Sequence, residues 1–174
     1  AHLGSGISIV VHEKGKMIDG SGGRSDGPFS PERSGGILTY DLIKLCYSGK
    51  YSKQEMIDKV SSIGGMYDYL GTKDMIEIEK RVGTGDADAQ LIMDAFVYQV
   101  SQEISKYGAS LKGQVDKIIL TGGIAYSEYV VQGVKDRVEY LAPVEVYAGE
   151  MEMEALAFGA LRVMTGQEET KIYN

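Results

Sequence analysis

The last third of the sequence alternates between short apolar runs and longer amphipathic stretches. Strand-like runs at residues 116–120 and 144–147 alternate with helix-like patterns at residues 127–140 and 152–164. Alternation of this kind predicts parallel strands joined by crossover helices. The chain is therefore expected to adopt an α/β fold.

The first of these strands ends in two adjacent glycines, Gly122 and Gly123, within Leu-Thr-Gly-Gly-Ile-Ala at residues 120–125. Without Cβ atoms, the backbone there can approach a flat or anionic ligand closely. Such a turn suits a nucleotide. An ordinary tight connection between strand and helix is the alternative, and the spacing alone does not decide between them.

A second glycine turn lies near the start of the sequence, in Leu-Gly-Ser-Gly-Ile-Ser at residues 3–8. Exposed N–H groups at its glycines, with the hydroxyls of Ser5 and Ser8, are suited to cradle phosphate oxygens. The segment lacks the three spaced glycines of a dinucleotide-binding fold, and no Gly-Lys-Ser/Thr occurs in the chain. Rossmann and P-loop sites are therefore excluded.

The region between the two glycine turns is predicted to form a hairpin, a long loop and then helices. Apolar runs within residues 7–19 flank a Glu-Lys-Gly-Lys turn and predict the hairpin. Residues 20–36 hold too many glycines, prolines and serines for a regular element. Helical patterns follow, with a helical insertion expected at residues 38–85 and a long helix at residues 86–111. We expect the long helix to bury one stripe of residues: Leu91, Ile92, Ala95, Val100 and Ile104.

The long loop contains Pro-Phe-Ser-Pro-Glu-Arg-Ser-Gly-Gly at residues 28–36. Its two prolines stiffen the segment around Arg33. A planar guanidinium held in this way is suited to stabilise charge on a phosphoryl group in transfer. An exposed pair of Glu32 and Arg33 that contributes little to stability is the alternative, and the residues alone favour it.

Acidic residues gather where the last predicted helix begins, at Glu150, Glu152 and Glu154. The helix dipole by itself favours carboxylates in a first turn. A carboxylate at this position can also orient Mg²⁺, directly or through its water ligands. His2 is a candidate contact for phosphate or substrate, with an ordinary structural histidine as the alternative.

Charge and composition narrow the classes of partner. The formal charge of −7 opposes binding to nucleic acid or to anionic membranes. We expect neither a membrane anchor nor a signal peptide, and the single Cys46 fits a reducing, cytoplasmic location. Because the sequence opens with Ala-His-Leu-Gly and not with methionine, we expect a piece of a longer protein.

Taken in order, the motifs resemble those of the butyrate kinases. The matching segments are residues 1–8, 27–36, 45–50, 120–124 and 142–150. Residues 28–36 are the most specific, since they are closer to butyrate and branched-chain fatty acid kinases than to acetate kinases. The resemblance implies one ribonuclease-H-like domain of the actin-like ATPase type, with a mixed sheet and flanking helices. It also implies that residues 1–174 form the C-terminal nucleotide-binding domain of a two-domain kinase.

The resemblance assigns phosphate-binding and catalytic roles to residues in the first part of the chain. Gly4, Ser5 and Gly6 would contact the β- and γ-phosphates of the nucleotide. His2 would lie beside them as a catalytic residue. Arg33 would stabilise the phosphoryl group during transfer.

The resemblance also assigns roles to residues later in the chain. Gly122, Gly123 and Ile124 would form the adenosine turn, and Asp74 would lie near the nucleotide sugar. Glu152 would be the catalytic carboxylate associated with magnesium. The implied ligands are therefore ATP or ADP, Mg²⁺ and a small carboxylate.

The reaction implied is reversible phosphoryl transfer between ATP and a short-chain fatty acid, butyrate or isobutyrate, which gives an acyl phosphate and ADP. The first phosphate loop and much of the carboxylate pocket would precede Ala1, so the isolated chain is expected to show little or no activity. A homo-oligomer is expected for the full-length enzyme. The alternative is a non-catalytic nucleotide-binding regulator or assembly protein of the same superfamily, which would not need Arg33.

Overall fold

The computed structural model describes residues 1–22, 24 and 26–170. Strands lie toward both ends of this part of the chain, and helices fill its middle. The strands are β1 (His2–Leu3), β2 (Ile7–Ser8), β3 (Val10–Glu13), β4 (Lys16–Gly20), β5 (Ile118–Gly122) and β6 (Val144–Ala148). The helices are α1 (Thr39–Cys46), α2 (Lys53–Ser61), α3 (Gly65–Leu70), α4 (Met75–Gly83), α5 (Ala87–Tyr107), α6 (Glu128–Val138) and α7 (Glu152–Met164). Two short 3₁₀ turns, Gly108–Leu111 and Gly123–Tyr126, follow α5 and β5.

Four of the strands form one mixed sheet with the order β2-β1-β5-β6. Strand β1 is antiparallel to β2 and parallel to β5, and β5 is parallel to β6. His2 pairs with Thr121 across β1 and β5, although 119 residues separate them in sequence. The predicted mixed sheet is confirmed, and its parallel strands end at one common edge.

Strands β3 and β4 form the predicted hairpin as a separate two-stranded sheet. At its turn, Lys14 and Gly15 both have positive φ, 50° and 76°, as a type I′ turn requires. The hairpin is shorter than predicted because Ile7 and Ser8 pair with β1 instead.

Helices α1 to α4 occupy most of the range in which a helical insertion was expected. Helix α2 begins with a capping box, in which Ser52 accepts from the Glu55 N–H and the Glu55 carboxylate accepts from the Ser52 N–H. The sequence pattern does not predict α3, which starts beside Gly64 and Gly65. None of the described helices combines the length and the apolar character needed to cross a lipid bilayer.

The long helix α5 is the centre of the hydrophobic core, but its buried stripe differs from the prediction. Val100 and Ile104 are buried as expected, whereas Leu91 is 65% exposed. Helix α6 packs so closely that a Cβ at Gly133 would lie 2.8 Å from Val97. The buried residues of α5 are Ala89, Met93, Phe96, Val97, Val100, Ser101, Ile104 and Tyr107.

Candidate active site

The carboxyl ends of β1, β5 and β6 meet at one edge of the sheet, and a glycine follows or ends each strand: Gly4, Gly122 and Gly149. Ligands of open parallel sheets bind at such an edge. A mainly polar cavity of about 290 Å³ lies there. Its lining contains six of the predicted site residues, His2, Gly4, Ser5, Gly6, Arg33 and Glu152, together with Ile7, Ser8 and Glu150.

The N-terminal glycine turn, residues 4–6, is shaped by two side chains that lie over it. The Gly4 N–H donates to the Gly6 carbonyl at 3.2 Å and closes the turn. A Cβ at Gly4 would lie 3.2 Å from His2 Nε2, and one at Gly6 would overlap the guanidinium of Arg33. The glycines therefore let His2 and Arg33 approach the turn, while Ser5 stays exposed to the cavity.

The imidazole of His2 lies between two polar partners. Its Nδ1 is 3.1 Å from the Thr121 hydroxyl oxygen on the neighbouring strand, and its Nε2 is 3.8 Å from the Glu150 carboxylate. When the hydroxyl donates to Nδ1, Nε2 carries the proton and directs it toward the cavity. The strand pairing of β1 with β5 thus fixes the orientation of a candidate catalytic histidine.

Arg33 lies on the arginine loop, residues 28–36, which α3 holds in place. The Arg33 carbonyl accepts from the Ser30 N–H at 2.9 Å, so the loop folds back on itself. The Glu32 carbonyl accepts from the Gly64 N–H, and the Glu32 carboxylate accepts from Lys73 Nζ at 3.1 Å. Arg33 is therefore presented to the cavity by a loop with several fixed backbone contacts.

Two glycines that the sequence analysis missed support this loop. Gly65 has a φ of +60°, and a Cβ there would overlap the Ser30 carbonyl oxygen and lie 2.6 Å from the Arg33 carbonyl oxygen. A Cβ at Gly64 would overlap the Lys59 carbonyl oxygen. The adjacent glycines between two helical patterns were the available signal, because such a pair permits close packing of backbone on backbone.

The cavity also contains two carboxylates, from Glu150 and Glu152, and Glu152 begins α7. In the described ranges, no group of three or more histidine, cysteine, aspartate or glutamate residues is arranged to hold a metal ion. Besides the imidazole of His2, the cavity offers oxygen ligands: the two carboxylates and the hydroxyls of Ser5 and Ser8. Mg²⁺ takes one or two carboxylates and completes its shell with water and substrate phosphates, so these residues fit it.

The two residues of the β5 glycine turn, Gly122 and Gly123, have different surroundings: a side chain at Gly122 would overlap the protein, whereas one at Gly123 would not. Gly122 has a φ of +90°, and a Cβ there would overlap the Leu3 carbonyl oxygen. It also exchanges two backbone hydrogen bonds with Gly149, at 2.9 and 3.0 Å. A Cβ at Gly123 would meet nothing within 4 Å, so that position faces open space. The side chain of Ile124 is buried in the core, which leaves only its backbone for a ligand.

Asp74 lies outside the cavity lining and caps a helix. Its carboxylate accepts from the Ile76 N–H at 2.9 Å, which satisfies a free donor at the start of α4. The same helix also contacts the start of α6, since the Ser127 hydroxyl donates to the Glu79 carboxylate. Neither Glu79 nor Ser127 is among the predicted site residues.

The sequence model of the acetokinase family matches residues 1–171. The chain belongs to the acetokinase family. It is 46% identical over 173 residues to a probable butyrate kinase 2 of Caldanaerobacter subterraneus subsp. tengcongensis, and 47% identical over 173 residues to a probable butyrate kinase of Clostridium botulinum. Each alignment covers 99% of this chain and 49% of the relative, so the chain spans about half the length of these curated relatives.

Solved structures of an acetate kinase and a propionate kinase share the fold. The acetate kinase of Porphyromonas gingivalis superposes with a TM-score of 0.84 at 22% identity, over 94% of this chain and 48% of that one. A propionate kinase of Francisella tularensis gives a TM-score of 0.78 at 23% identity, over 87% and 46%. These likenesses show that this acetokinase-family chain has the mixed α/β, actin-like ATPase fold that its motifs implied.

Proposed function

We propose that the full-length protein is a butyrate kinase, which transfers a phosphoryl group reversibly between ATP and butyrate or isobutyrate, and that this chain is its C-terminal nucleotide-binding domain. The observation that carries the proposal is the convergence of Arg33, His2 and the N-terminal glycine turn on one polar cavity. The relatives described as probable butyrate kinases support the choice of acid.

In this proposal the two glycine turns bind the two ends of the nucleotide. The N-terminal glycine turn offers Ser5 and a short backbone loop to the β- and γ-phosphates. The open side of Gly123 admits the adenosine, because no protein atom lies where its Cβ would be. Asp74 and the backbone of Ile124 belong to the adenosine end of the same site.

Arg33 and His2 act on the phosphoryl group itself. Such transfer has little covalent chemistry for the protein to perform, so positioning and charge stabilisation dominate. The guanidinium of Arg33 lies across Gly6, where it can stabilise the negative charge that develops on the transferred phosphoryl group. When Nδ1 of His2 accepts from the Thr121 hydroxyl, Nε2–H is free to donate to an oxygen of the transferred phosphoryl group in the cavity.

Glu152 and Glu150, which both line the cavity, would hold Mg²⁺ through their carboxylate oxygens. The bound ion would neutralise charge on the β- and γ-phosphate oxygens. Two carboxylates in a phosphate site would otherwise repel the nucleotide, so their presence favours a divalent cation there.

The carboxylate substrate would be held largely by the other half of the enzyme. Helix α7 has no buried residue and exposes large apolar side chains, among them Phe158 and Leu161. Exposed apolar surface of this kind suits packing against a further domain. We therefore expect little or no kinase activity from the isolated chain. As a separate expectation, the full-length enzyme would be a homo-oligomer.

Replacement of Arg33 tests the catalytic part of the proposal. In the full-length enzyme, Arg33→Ala should lower kcat by about 10³-fold or more while ADP binding is retained, since the arginine acts on the transition state. Arg137→Ala is a matched control, because Arg137 is exposed on α6 and donates to the Gly133 carbonyl of its own helix. Unchanged turnover in Arg33→Ala would reject the catalytic role.

A further inference from the structure

A buried serine joins the N-terminal glycine turn to the arginine loop. Ser30 is 1% exposed, and its hydroxyl donates to the Ser5 carbonyl at 2.6 Å. The same hydroxyl oxygen accepts from the Arg33 N–H at 3.0 Å. One side-chain oxygen therefore contacts the backbone of its own loop and that of the N-terminal glycine turn, which lies 25 residues away in sequence.

The backbone of Ser30 is fixed as firmly as its side chain. Its N–H donates to the Arg33 carbonyl at 2.9 Å, and its carbonyl accepts from the Met66 N–H at 3.0 Å. Gly65 lies against the same carbonyl with no room for a Cβ between them. Since these groups anchor Ser30 on α3, the hydroxyl cannot shift without moving either the glycine turn or the start of Arg33.

Burial of a hydroxyl is unfavourable unless its hydrogen bonds are satisfied. Ser30 meets this condition only by acting as donor to one segment and acceptor from the other. Alanine can do neither, and cysteine has a similar volume but forms weak hydrogen bonds. The position thus depends on a hydroxyl and not merely on a small side chain.

We propose that Ser30 is a positioning residue for phosphoryl transfer, whose hydroxyl sets the spacing between the N-terminal glycine turn and Arg33. This inference rests on the proposed function. The turn would bind the phosphates in the ground state, and Arg33 would stabilise the transferred phosphoryl group in the transition state. If Arg33 moves relative to the turn, kcat should therefore fall much more than KM for ATP changes.

The test is a double-mutant cycle in the full-length enzyme, with Ser30→Ala, Arg33→Ala and the combined variant. Ser30→Ala should lower kcat by about 10- to 100-fold, since small misplacement of a catalytic group has effects of that size. In the Arg33→Ala background, the same change should have an effect of less than about threefold, because the residue through which Ser30 acts is gone. Ser30→Cys repeats the measurement if the alanine variant does not fold.

Ser34→Ala is the matched control on the same loop. The Ser34 hydroxyl contacts the carbonyls of Gly35 and Val60, at 3.2 and 3.4 Å, and makes no hydrogen bond to the glycine turn among the described contacts. Its kcat should stay within about twofold of wild type. The inference is overturned if Ser30→Cys or Ser30→Ala behaves like this control, or if the Ser30 and Arg33 effects multiply in full. A wild-type enzyme that phosphorylates no short-chain acid would overturn the proposed function, and the positioning role with it.

Discussion

The guanidinium of Arg33 occupies the space that a side chain at Gly6 would need. A Cβ at Gly6 would overlap Nη1 and lie 2.6 Å from Cζ of Arg33. Gly6 does not have positive φ, so its backbone can accept alanine without strain. The requirement for glycine therefore comes from the arginine side chain that lies across the turn.

Gly6→Ala should consequently impair catalysis without unfolding the protein. The added methyl meets the flexible end of Arg33, which can move away, and the displaced guanidinium should lower kcat by about 100-fold. Steady-state kinetics and the melting temperature of the full-length variant provide the measurement. Gly83→Ala is the control, because a Cβ there meets nothing within 4 Å. Wild-type turnover in Gly6→Ala would show that Arg33 does not act from this position.

The two residues of the β5 glycine turn should respond in opposite ways to alanine. Gly122→Ala places a methyl against the Leu3 backbone and requires a left-handed conformation, so the free energy of unfolding should fall by about 2 kcal/mol or more. Gly123→Ala has open space and should keep its stability, but should bind ADP more weakly. Urea denaturation and calorimetric titration with ADP separate the two effects. Equal stability of the two variants would contradict the assigned roles.

Thr121 should affect turnover through His2. Thr121→Val keeps a β-branched side chain in β5 but removes the hydroxyl that lies 3.1 Å from His2 Nδ1. We expect kcat to fall about tenfold with little change in KM for ATP, since the imidazole loses its fixed orientation. Thr121→Ser, which retains the hydroxyl, should recover most of the activity. Equal activity of the valine and serine variants would exclude this hydrogen bond from catalysis.

Local sequence patterns correctly predicted the strands and helices whose own residues show a clear apolar periodicity or turn. The alternation in the last third of the sequence predicted β5, α6, β6 and α7, and the predicted hairpin was also confirmed. The stripe on α5 was partly wrong because apolar residues occur around most of that helix. Only packing against its neighbours decides that Met93 is buried and Leu91 is exposed.

The candidate site depends on contacts between residues far apart in sequence, and these could not be predicted. The pairing of His2 with Thr121 and the hydrogen bond from Ser30 to Ser5 exist only in the folded chain. The resemblance placed six residues in what proved to be one cavity, but it gave no reason for their spacing. Asp74 shows the opposite case, because its capping role follows from local sequence and its proposed role at the nucleotide does not.

The Asp86 carboxylate should make stability depend on pH in the acid range. The N–H of Ala89 and then the side chain of Arg81 hold the pKa of this carboxyl below its usual range. A lowered pKa means that the unfolded state binds the proton more tightly. The stabilisation is therefore present above the ordinary aspartate pKa of about 4 and is lost as pH falls through the folded value.

Urea denaturation of wild type and Asp86→Asn between pH 6 and pH 3 checks this expectation. Asparagine still caps α5 but cannot ionise or pair with Arg81, so the variant should be the less stable of the two at pH 6. The difference between the two proteins should shrink toward pH 3. A difference that stays constant over this range would show that Asp86 does not carry the pH dependence.

Acyl phosphate formation by the full-length protein tests the central claim most directly. The assay would supply Mg²⁺ and ATP with straight and branched acids of about two to six carbons, and would measure both acyl phosphate and ADP. We predict the highest kcat/KM with butyrate or isobutyrate, and loss of that activity in Arg33→Ala. Failure to phosphorylate any of these acids, in a protein that still binds ADP, would contradict the account and favour a non-catalytic nucleotide-binding regulator.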